Sequence, residues 1–343
     1  MKAKDLAELL GVSTATISLV LNGKPGISDT MRKSVLKKIR DLGYEDMIKS
    51  DAPNEEESQE AHNKVIGFVL FKDGGELLGM NSFFPLILDG IENRARIHGY
   101  NLAIINIEKN NIKNEIHYIQ DSRCDGFVIF ATEMQRESLM PFEKLKIPFV
   151  LLDNHFYEKR INTIEVDNEL GTFLAVKHLY ELGHRKVGYI SSGLNINSFK
   201  EREFWAKQAM RNMGMEDPEQ FSLTTGYPQD KSEQVMDDLI RQGKTNATAY
   251  LTDNDIVAIG VVRALSKRGV RVPDDVSVIG YDDRPVCELI EPKLTTVRLP
   301  RTDFGAEAVS RLIRQIDGRT TCVTRTKIEC SLVERKSTKK VRK

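Results

Sequence analysis

Charged and amide side chains stand directly after apolar runs at several points of the chain. Asp153 ends the run FVLLD, Asn254 follows AYLTD, and Asp282 follows VSVIGY. Open α/β sheets bind ligands where loops leave the carboxyl ends of strands, so these side chains are candidates for one pocket. Carboxylates and amides accept from and donate to hydroxyl groups, which is the chemistry of a carbohydrate site. Each residue alone is also typical of a helix cap or a surface turn.

A sugar site also needs a cation and aromatic faces. Arg202 stands early in a predicted helix after the loop GLNINSF, where it can fix a ring oxygen or a hydroxyl. Phe83 and Phe84 follow the loop after the first predicted strand, and Tyr227 follows a glycine. These rings can cover the apolar side of a sugar. Trp205 comes three residues after Arg202, and its indole either fills part of the pocket or packs elsewhere.

The stretch KDLAELLGVSTATISLVLN near the N-terminus predicts two short helices around a tight turn. Gly11 suits the sharp turn, and Ser13 is a good N-cap for the second helix. Small or hydroxylated side chains cover the outer face of that helix, a pattern that suits a helix lying in a DNA major groove. They are Ser13, Thr14, Ala15, Thr16, Ser18 and Leu19. A helical hairpin that only packs is the alternative.

Charge supports the DNA interpretation. A third helix is predicted from Ile27 to Gly43, and residues 1–44 hold eight Lys and Arg against four Asp and Glu. The whole chain of 343 residues has a formal net charge of +0. A basic patch confined to one small unit is the electrostatic pattern of a phosphate-binding surface.

Enzyme motifs are missing from the sequence. It has no Gly-rich phosphate loop, no His-Glu-x-x-His and no nucleophile elbow. The six histidines are scattered and the four cysteines lack metal spacing, so no catalytic residue, metal or cofactor is expected. His184 follows a helix end, where a structural role is expected. Cys124, Cys287, Cys322 and Cys330 are expected to be buried free thiols.

From residue 64 onward, near-continuous apolar strands alternate with helices. This pattern predicts parallel sheets covered on both faces, and its length calls for two lobes. No apolar run is long enough to cross a membrane, and no signal core opens the chain, so a cytoplasmic location is expected.

Several stretches resemble one known family. Residues 5–23, DLAELLGVSTATISLVLNG, closely resemble the DNA-binding domain of LacI/GalR-type (lactose-repressor-like) bacterial transcription regulators. The blocks HLYELGHRKVGYI, VPDDVSVIGYDD and PKLTTVR resemble the effector domain of the same family, in the same order. The resemblance implies a three-helix helix-turn-helix domain. It also implies a two-lobed α/β effector domain like periplasmic binding proteins, with parallel sheets and three crossovers.

By position, the resemblance assigns two sets of site residues. The DNA-binding set adds Asn22 and Lys24 to the helix face, with Thr14, Ala15 and Leu19 toward bases and the others toward phosphates. The effector-binding set is Phe83, Phe84, Asp153, Arg202, Tyr227, Asn254 and Asp282.

The expected domains are residues 1–44 for DNA, 45–63 as a linker, 64–337 for the effector, and 338–343 as a basic, disordered tail. One lobe comprises about 64–163 and 296–322, and the other 164–295 and 323–337, with crossovers near Thr163, Thr295 and Cys322. The linker holds seven acids and one base, and it lacks the leucine and small-residue pattern of the family's hinge helix. We therefore expect it to stay unstructured, even on DNA.

These features predict a sequence-specific DNA-binding regulator, most often a repressor in this family, controlled by a small ligand bound between the lobes. The expected partners are a near-palindromic double-stranded operator, a sugar effector and a second copy of the chain. Alternatives are a protein or nucleoside co-effector, a stand-alone sugar-binding protein, and a sugar-active or nucleotide-active enzyme. Effector identity, operator sequence and the choice between dimer and tetramer are left open.

Overall fold

The chain forms two compact units, residues 1–61 and 62–343. A computed structural model describes residues 3–21, 24, 26–41, 64–74 and 83–341. The predicted linker, residues 45–63, and Asn22 of the DNA-binding set lie outside the described residues. None of the helices that are described is long and apolar enough to cross a membrane.

The first unit contains three helices: α1 (Ala3–Leu10), α2 (Thr14–Leu21) and α3 (Asp29–Asp41). Gly11 makes the turn between the first two with φ +65°, a left-handed angle that glycine adopts without strain. The Ser13 hydroxyl then accepts from the Thr16 amide at 3.0 Å and caps α2 as expected. Residues at helical spacing form the core of the unit: Leu6, Ala7, Ile17, Val20, Leu21, Val35 and Ile39.

The second unit begins with a six-stranded sheet, which we call sheet 1. Its order is β11-β5-β4-β3-β1-β2, and all neighbouring strands are parallel. The strands are β1 (Val65–Lys72), β2 (Asn101–Glu108), β3 (Gly126–Phe130), β4 (Phe149–Leu152), β5 (Thr163–Val166) and β11 (Arg325–Ile328). The helices that accompany them are α4 (Phe84–Ile97), α5 (Ile112–Asp121), α6 (Arg136–Glu143) and α11 (Arg301–Ile316).

Sheet 2 has the order β12-β10-β9-β8-β6-β7, and only the β10–β12 pair is antiparallel. Its strands are β6 (Val187–Ser191), β7 (Leu223–Thr224), β8 (Ala249–Thr252), β9 (Ser277–Asp282), β10 (Thr295–Arg298) and β12 (Ser331–Val333). The helices are α7 (Asn168–Glu181), α8 (Asn197–Asn212), α9 (Gln229–Arg241) and α10 (Asp255–Lys267). The predicted pair of mostly parallel sheets is therefore confirmed.

The chain crosses between the sheets three times, each a few residues later than predicted. Strand β5 still belongs to sheet 1, β10 still belongs to sheet 2, and β11 returns to sheet 1 before the last crossing. Residues 325–328 therefore lie in the first lobe and 295–298 in the second. The predicted boundaries failed because these four-residue strands carry too little apolar pattern to reveal which sheet they join.

Two smaller expectations are corrected. Residues up to 341 of the basic tail are held in place: the Val341 amide donates to the Leu182 carbonyl at 3.0 Å, and His184 Nε2 lies 2.9 Å from the Lys339 carbonyl oxygen. Charge alone suggested a disordered end, but backbone hydrogen bonds bind this segment. The structural role expected for His184 thus includes the tail. Cys124, Cys287 and Cys330 are buried free thiols, whereas Cys322 is exposed.

Candidate functional site

A cavity between the two sheets gathers most of the predicted effector-binding residues. Its lining includes six of them: Phe83, Phe84, Asp153, Arg202, Asn254 and Asp282. The cavity has a volume of about 30 Å³. That is room for roughly two water molecules, since one needs about 10–15 Å³. A sugar can therefore enter only when the lobes separate or the lining side chains move.

Arg202 is the cation at the centre of the site, on the first turns of α8 and buried. Its Nη1 donates to the Asp253 carbonyl oxygen at 2.7 Å and to Asp282 Oδ1 at 3.2 Å. Its Nε donates to Asn168 Oδ1 at 3.0 Å, and the guanidinium lies 3.8 Å from the centre of the Tyr281 ring. Burial lowers the pKa of Arg202, but the neighbouring acidic groups, of which Asp282 contributes most, together outweigh burial and raise it. These contacts hold the positively charged guanidinium group of Arg202 at one position in the cavity lining.

Three aspartates at the strand ends have left-handed backbone angles. Asp153 follows β4 with φ +66°, Asp282 ends β9 with φ +106°, and Asp283 has φ +53°. Residues with side chains rarely adopt such angles, and the strain concentrates at functional sites in proteins. At Asp153 and Asp282 the unusual backbone angle accompanies a carboxylate that lines the cavity.

The two lining aspartates, Asp153 and Asp282, differ in their surroundings. Burial raises the pKa of Asp153 to about 7, although the Thr132 hydroxyl, which donates to Asp153 Oδ2 at 2.6 Å, works against the increase. Asp282 instead lies between two guanidinium groups, those of Arg202 and Arg284. Near neutral pH the Asp153 carboxyl group can therefore carry a proton, which makes it a hydrogen-bond donor to a ligand.

Asn254 has a donor that lacks a partner. Its Oδ1 accepts from the Val257 amide at 3.1 Å and caps α10, so the alternative reading as a helix cap is correct for that atom. Its Nδ2 is buried and has no hydrogen-bond partner in the part of the chain that the structure describes. A buried unpaired amide costs about 1–3 kcal/mol, so such a group in a cavity lining calls for a ligand acceptor or a bound water.

Aromatic rings line one side of the cavity. Phe84 packs edge-on against Phe130 with centroids 4.9 Å apart, and Phe83 lies 6.3 Å from Phe84. Tyr227, predicted as a second wall, is buried but absent from the lining, and its hydroxyl group faces Arg284 instead. Trp205 is also outside the lining, packed edge-on against Phe204 with centroids 5.1 Å apart.

The sequence did not reveal five lining residues: Phe130, Thr132, Ser198, Phe199 and Arg284. Phe130 and Thr132 lie at the carboxyl end of β3, so the rule that found Asp153 on the next strand applies to them as well. Ser198 and Phe199 face the cavity from the first turn of α8. Arg284 stands two residues after Asp282, but nothing in the sequence signals that its side chain turns back to that carboxylate.

Asp153→Asn is expected to stabilise the ligand-free chain at pH 8 by about 2–4 kcal/mol, since one pKa unit corresponds to about 1.4 kcal/mol. The folded-state pKa of Asp153, about 7, lies above 3.8, the ordinary value for an aspartate in an unfolded chain. Wild-type stability due to this group is therefore complete below about pH 4 and is lost as the pH rises through about 7. Urea unfolding of both proteins at pH 4 and pH 8 measures the difference.

Asp121→Asn, at an exposed position at the end of α5, is the matched control for that comparison. It should change stability by less than about 0.5 kcal/mol at either pH. Equal urea midpoints for wild type and Asp153→Asn at pH 8 would contradict this prediction, because they would show that ionisation of Asp153 does not lower the free energy of unfolding.

The described members of the predicted DNA-binding set lie on α2, at its N-cap and in the loop that follows it. Ser13, Thr14, Ala15 and Ser18 are exposed, and Thr16 and Leu19 are half-buried. Lys24 is also exposed, and Arg32 donates to the carbonyl oxygens of Leu19 and Lys24, which fastens the loop after α2 to α3. The face therefore presents hydroxyl and methyl groups with one nearby ammonium group.

Each of the two units matches a known protein family. Residues 2–46 match the profile described as bacterial regulatory proteins, lacI family, and residues 176–338 match that of a periplasmic binding protein-like domain. The HTH-type transcriptional repressor PurR of Haemophilus influenzae (strain PittEE) is 29% identical over 98% of both chains. Catabolite control protein A of Priestia megaterium is 28% identical over 92% of both chains.

Among solved structures, the transcriptional regulator CelR in complex with cellobiose is similar with a TM-score of 0.73. It is 25% identical and aligns over 98% of this chain and 99% of the other. The match thus extends over both units and the order of their elements. The chain therefore has a helix-turn-helix domain of the lacI family of bacterial regulatory proteins at its N-terminus, followed by a periplasmic-binding-protein-like domain.

Proposed function

We propose that this protein is a sequence-specific transcriptional repressor that binds an operator as a dimer and is controlled by a small carbohydrate bound between its two lobes. One observation supports the ligand most strongly. A cavity between the sheets holds the buried Asn254 amide nitrogen, which lacks a hydrogen-bond partner among the described residues, beside Arg202, Asp153 and Asp282. Together these four side chains offer hydrogen-bond donors and acceptors, and the hydroxyl groups of a sugar can pair with both.

The relatives support both halves of this proposal. PurR is named as an HTH-type transcriptional repressor, and the CelR structure contains cellobiose. Family members of this kind are regulators rather than enzymes, and we extend that to this chain, in a cytoplasmic location. A nucleoside is a second candidate effector, because the wall of Phe83, Phe84 and Phe130 can also stack on a flat base.

The mechanism couples the cavity to DNA through the lobes. Two helix-turn-helix units of a dimer contact two half-sites of a near-palindrome. A ligand that binds the closed lobes better than the open ones shifts the population toward closure, which changes the dimer geometry and hence the DNA affinity. We retain the domain division drawn from the sequence, with residues 45–63 as an acidic tether, and correct the lobe boundaries as described above.

Thermal-shift measurement across sugars, nucleosides and phosphosugars tests the effector proposal. A compound that binds only the folded state raises the melting temperature, by an amount set by its concentration relative to its Kd. We expect stabilisation by a sugar that disappears in Asn254→Ala. Stabilisation by nucleosides alone would replace the carbohydrate, and equal stabilisation of wild type and variant would place the ligand elsewhere.

Lys24→Ala is expected to weaken binding to all DNA sequences alike, by about threefold to tenfold, and to reduce the slope of log affinity against log salt by about 1. Lys24 is exposed beside α2, so its ammonium group can meet a phosphate. Exchanging Thr14 and Ala15 together should instead change the sequence preference, since these side chains face base edges. Selection from randomised duplex DNA and salt titration measure both. The reverse pattern would show that α2 is oriented differently.

A further inference from the structure

Beside the effector cavity, three side chains of types that bind metal ions converge from both lobes. His155 lies in the loop after β4, Glu165 in β5, and Glu201 on α8 of the other lobe. One ligand atom of each residue lies within 4.8 Å of the others. The side chains of His155 and Glu165 are both 8% exposed, so this is not an acidic surface cluster. Sequence spacing gave no sign of it.

The distances suit a small cation. His155 Nδ1 lies 2.8 Å from Glu165 Oε2 and 3.8 Å from Glu201 Oε1. A tetrahedral zinc site with bonds of about 2.0–2.2 Å separates its ligand atoms by roughly 3.3–3.5 Å. Each of these distances therefore needs to change by less than about 1 Å, which side chain rotation can supply.

The partners of both carboxylates orient them toward His155. Thr163 Oγ1 donates to Glu165 Oε1, and Asn168 Nδ2 donates to Glu201 Oε2 at 2.9 Å. Each glutamate thus satisfies one oxygen with a neutral donor and presents the other to the imidazole. Hydrogen bonds of this kind to ligating carboxylates are the usual outer support of protein metal sites.

A cavity and a charge imbalance complete the site. The three side chains line a cavity of about 10 Å³, close to the space of a single water molecule. Two carboxylates meet there, and Arg325 Nε lies 3.5 Å from Glu165 Oε1 on the half-exposed side. Glu165 is buried and Glu201 is 26% exposed, and like charges this close together are costly unless a cation compensates them.

We propose that His155, Glu165 and Glu201 bind one divalent transition-metal ion, best matched by Zn²⁺, with a water as the fourth ligand. The imidazole favours Zn²⁺ over Mg²⁺ or Ca²⁺, which prefer oxygen ligands only. The ion joins the lobes, because Glu201 belongs to one and the other two ligands to the other. Asn168 links the site to the effector cavity, since its Oδ1 accepts from Arg202 Nε at 3.0 Å.

The test uses the full chain without a tag, treated with a chelator, and without effector or DNA, so that it does not depend on the proposed function. Cys322→Ser serves as the background, because that exposed thiol can bind zinc itself. Titration calorimetry with Zn²⁺ should give one ion per chain. Glu201→Gln should weaken binding by at least about 100-fold. Glu203→Gln, on the same helix and paired with Lys207, should leave it within about twofold.

A second readout is the only tryptophan, Trp205, one helical turn after Glu201. Binding of Co²⁺, a quencher, should lower its fluorescence in the background protein and in Glu203→Gln, and a chelator should restore it. His155→Gln provides an independent loss of a ligand. Absence of stoichiometric zinc binding, or equal affinity in Glu201→Gln and the background protein, would overturn the proposal.

Discussion

Arg202→Ala is expected to remove the effector response, with ligand affinity falling by at least about 100-fold, while operator binding without ligand persists. The guanidinium holds Asp282, Asn168 and the Asp253 carbonyl in place, besides offering donors to the cavity. Each hydrogen bond with a charged partner contributes about 1.5–3 kcal/mol, and about 1.4 kcal/mol is a factor of ten. Calorimetry with the sugar that stabilises the wild type measures the loss.

Removing one partner of a buried ion pair also costs about 3–5 kcal/mol of stability, so folding must be checked separately. Arg202→Lys keeps the charge and is the variant to use if the alanine protein unfolds. Arg211→Ala is the matched control, since Arg211 lies on the same helix and pairs only with exposed acids. Unchanged ligand affinity in folded Arg202 variants would remove this residue from the site.

Ala15→Glu is expected to lower the affinity for the operator by about 100-fold to 1,000-fold. The new carboxylate would face the DNA phosphates, and like charges that face each other cost several kcal/mol. Ala15 is exposed on α2, so the substitution leaves the packed face of Ile17, Val20 and Leu21 intact. On DNA, the new carboxylate would sit in the major groove among phosphates. Fluorescence anisotropy with the selected operator measures the affinity.

Leu9→Glu controls for the change of charge, because Leu9 is 57% exposed on α1 of the same small unit. It should weaken binding by less than about tenfold, as a surface charge away from the groove does. Similar losses for both variants would mean that the added negative charge acts at a distance and that α2 is not in the groove.

The sequence predicted those effector-binding residues whose positions follow from the topology of the sheets. Asp153, Asn254 and Asp282 follow strands of two parallel sheets, and the carboxyl ends of such strands line one crevice. Arg202 was found because its helix starts at that crevice. Phe199 and Arg284 were missed because their side chain directions depend on packing that no local pattern encodes.

The fold was predictable where the periodic pattern is long and failed where elements are short. Strand β1, with eight residues, is evident from its apolar run, whereas β7 has two residues and β12 has three. The pairing of β11 with β5 joins segments more than 150 residues apart, so sequence spacing does not reveal it. The cluster of His155, Glu165 and Glu201 likewise exists only after the lobes meet.

The most direct test of ligand-controlled DNA binding is the affinity of the full chain for its selected operator, with and without the sugar that raises its melting temperature most. Allosteric coupling is typically about 5-fold to 150-fold in affinity. We expect a change of that size in the wild type and none in Arg202→Lys at the same sugar concentration. A sugar that binds the wild-type cavity yet leaves the operator affinity unchanged would contradict the account.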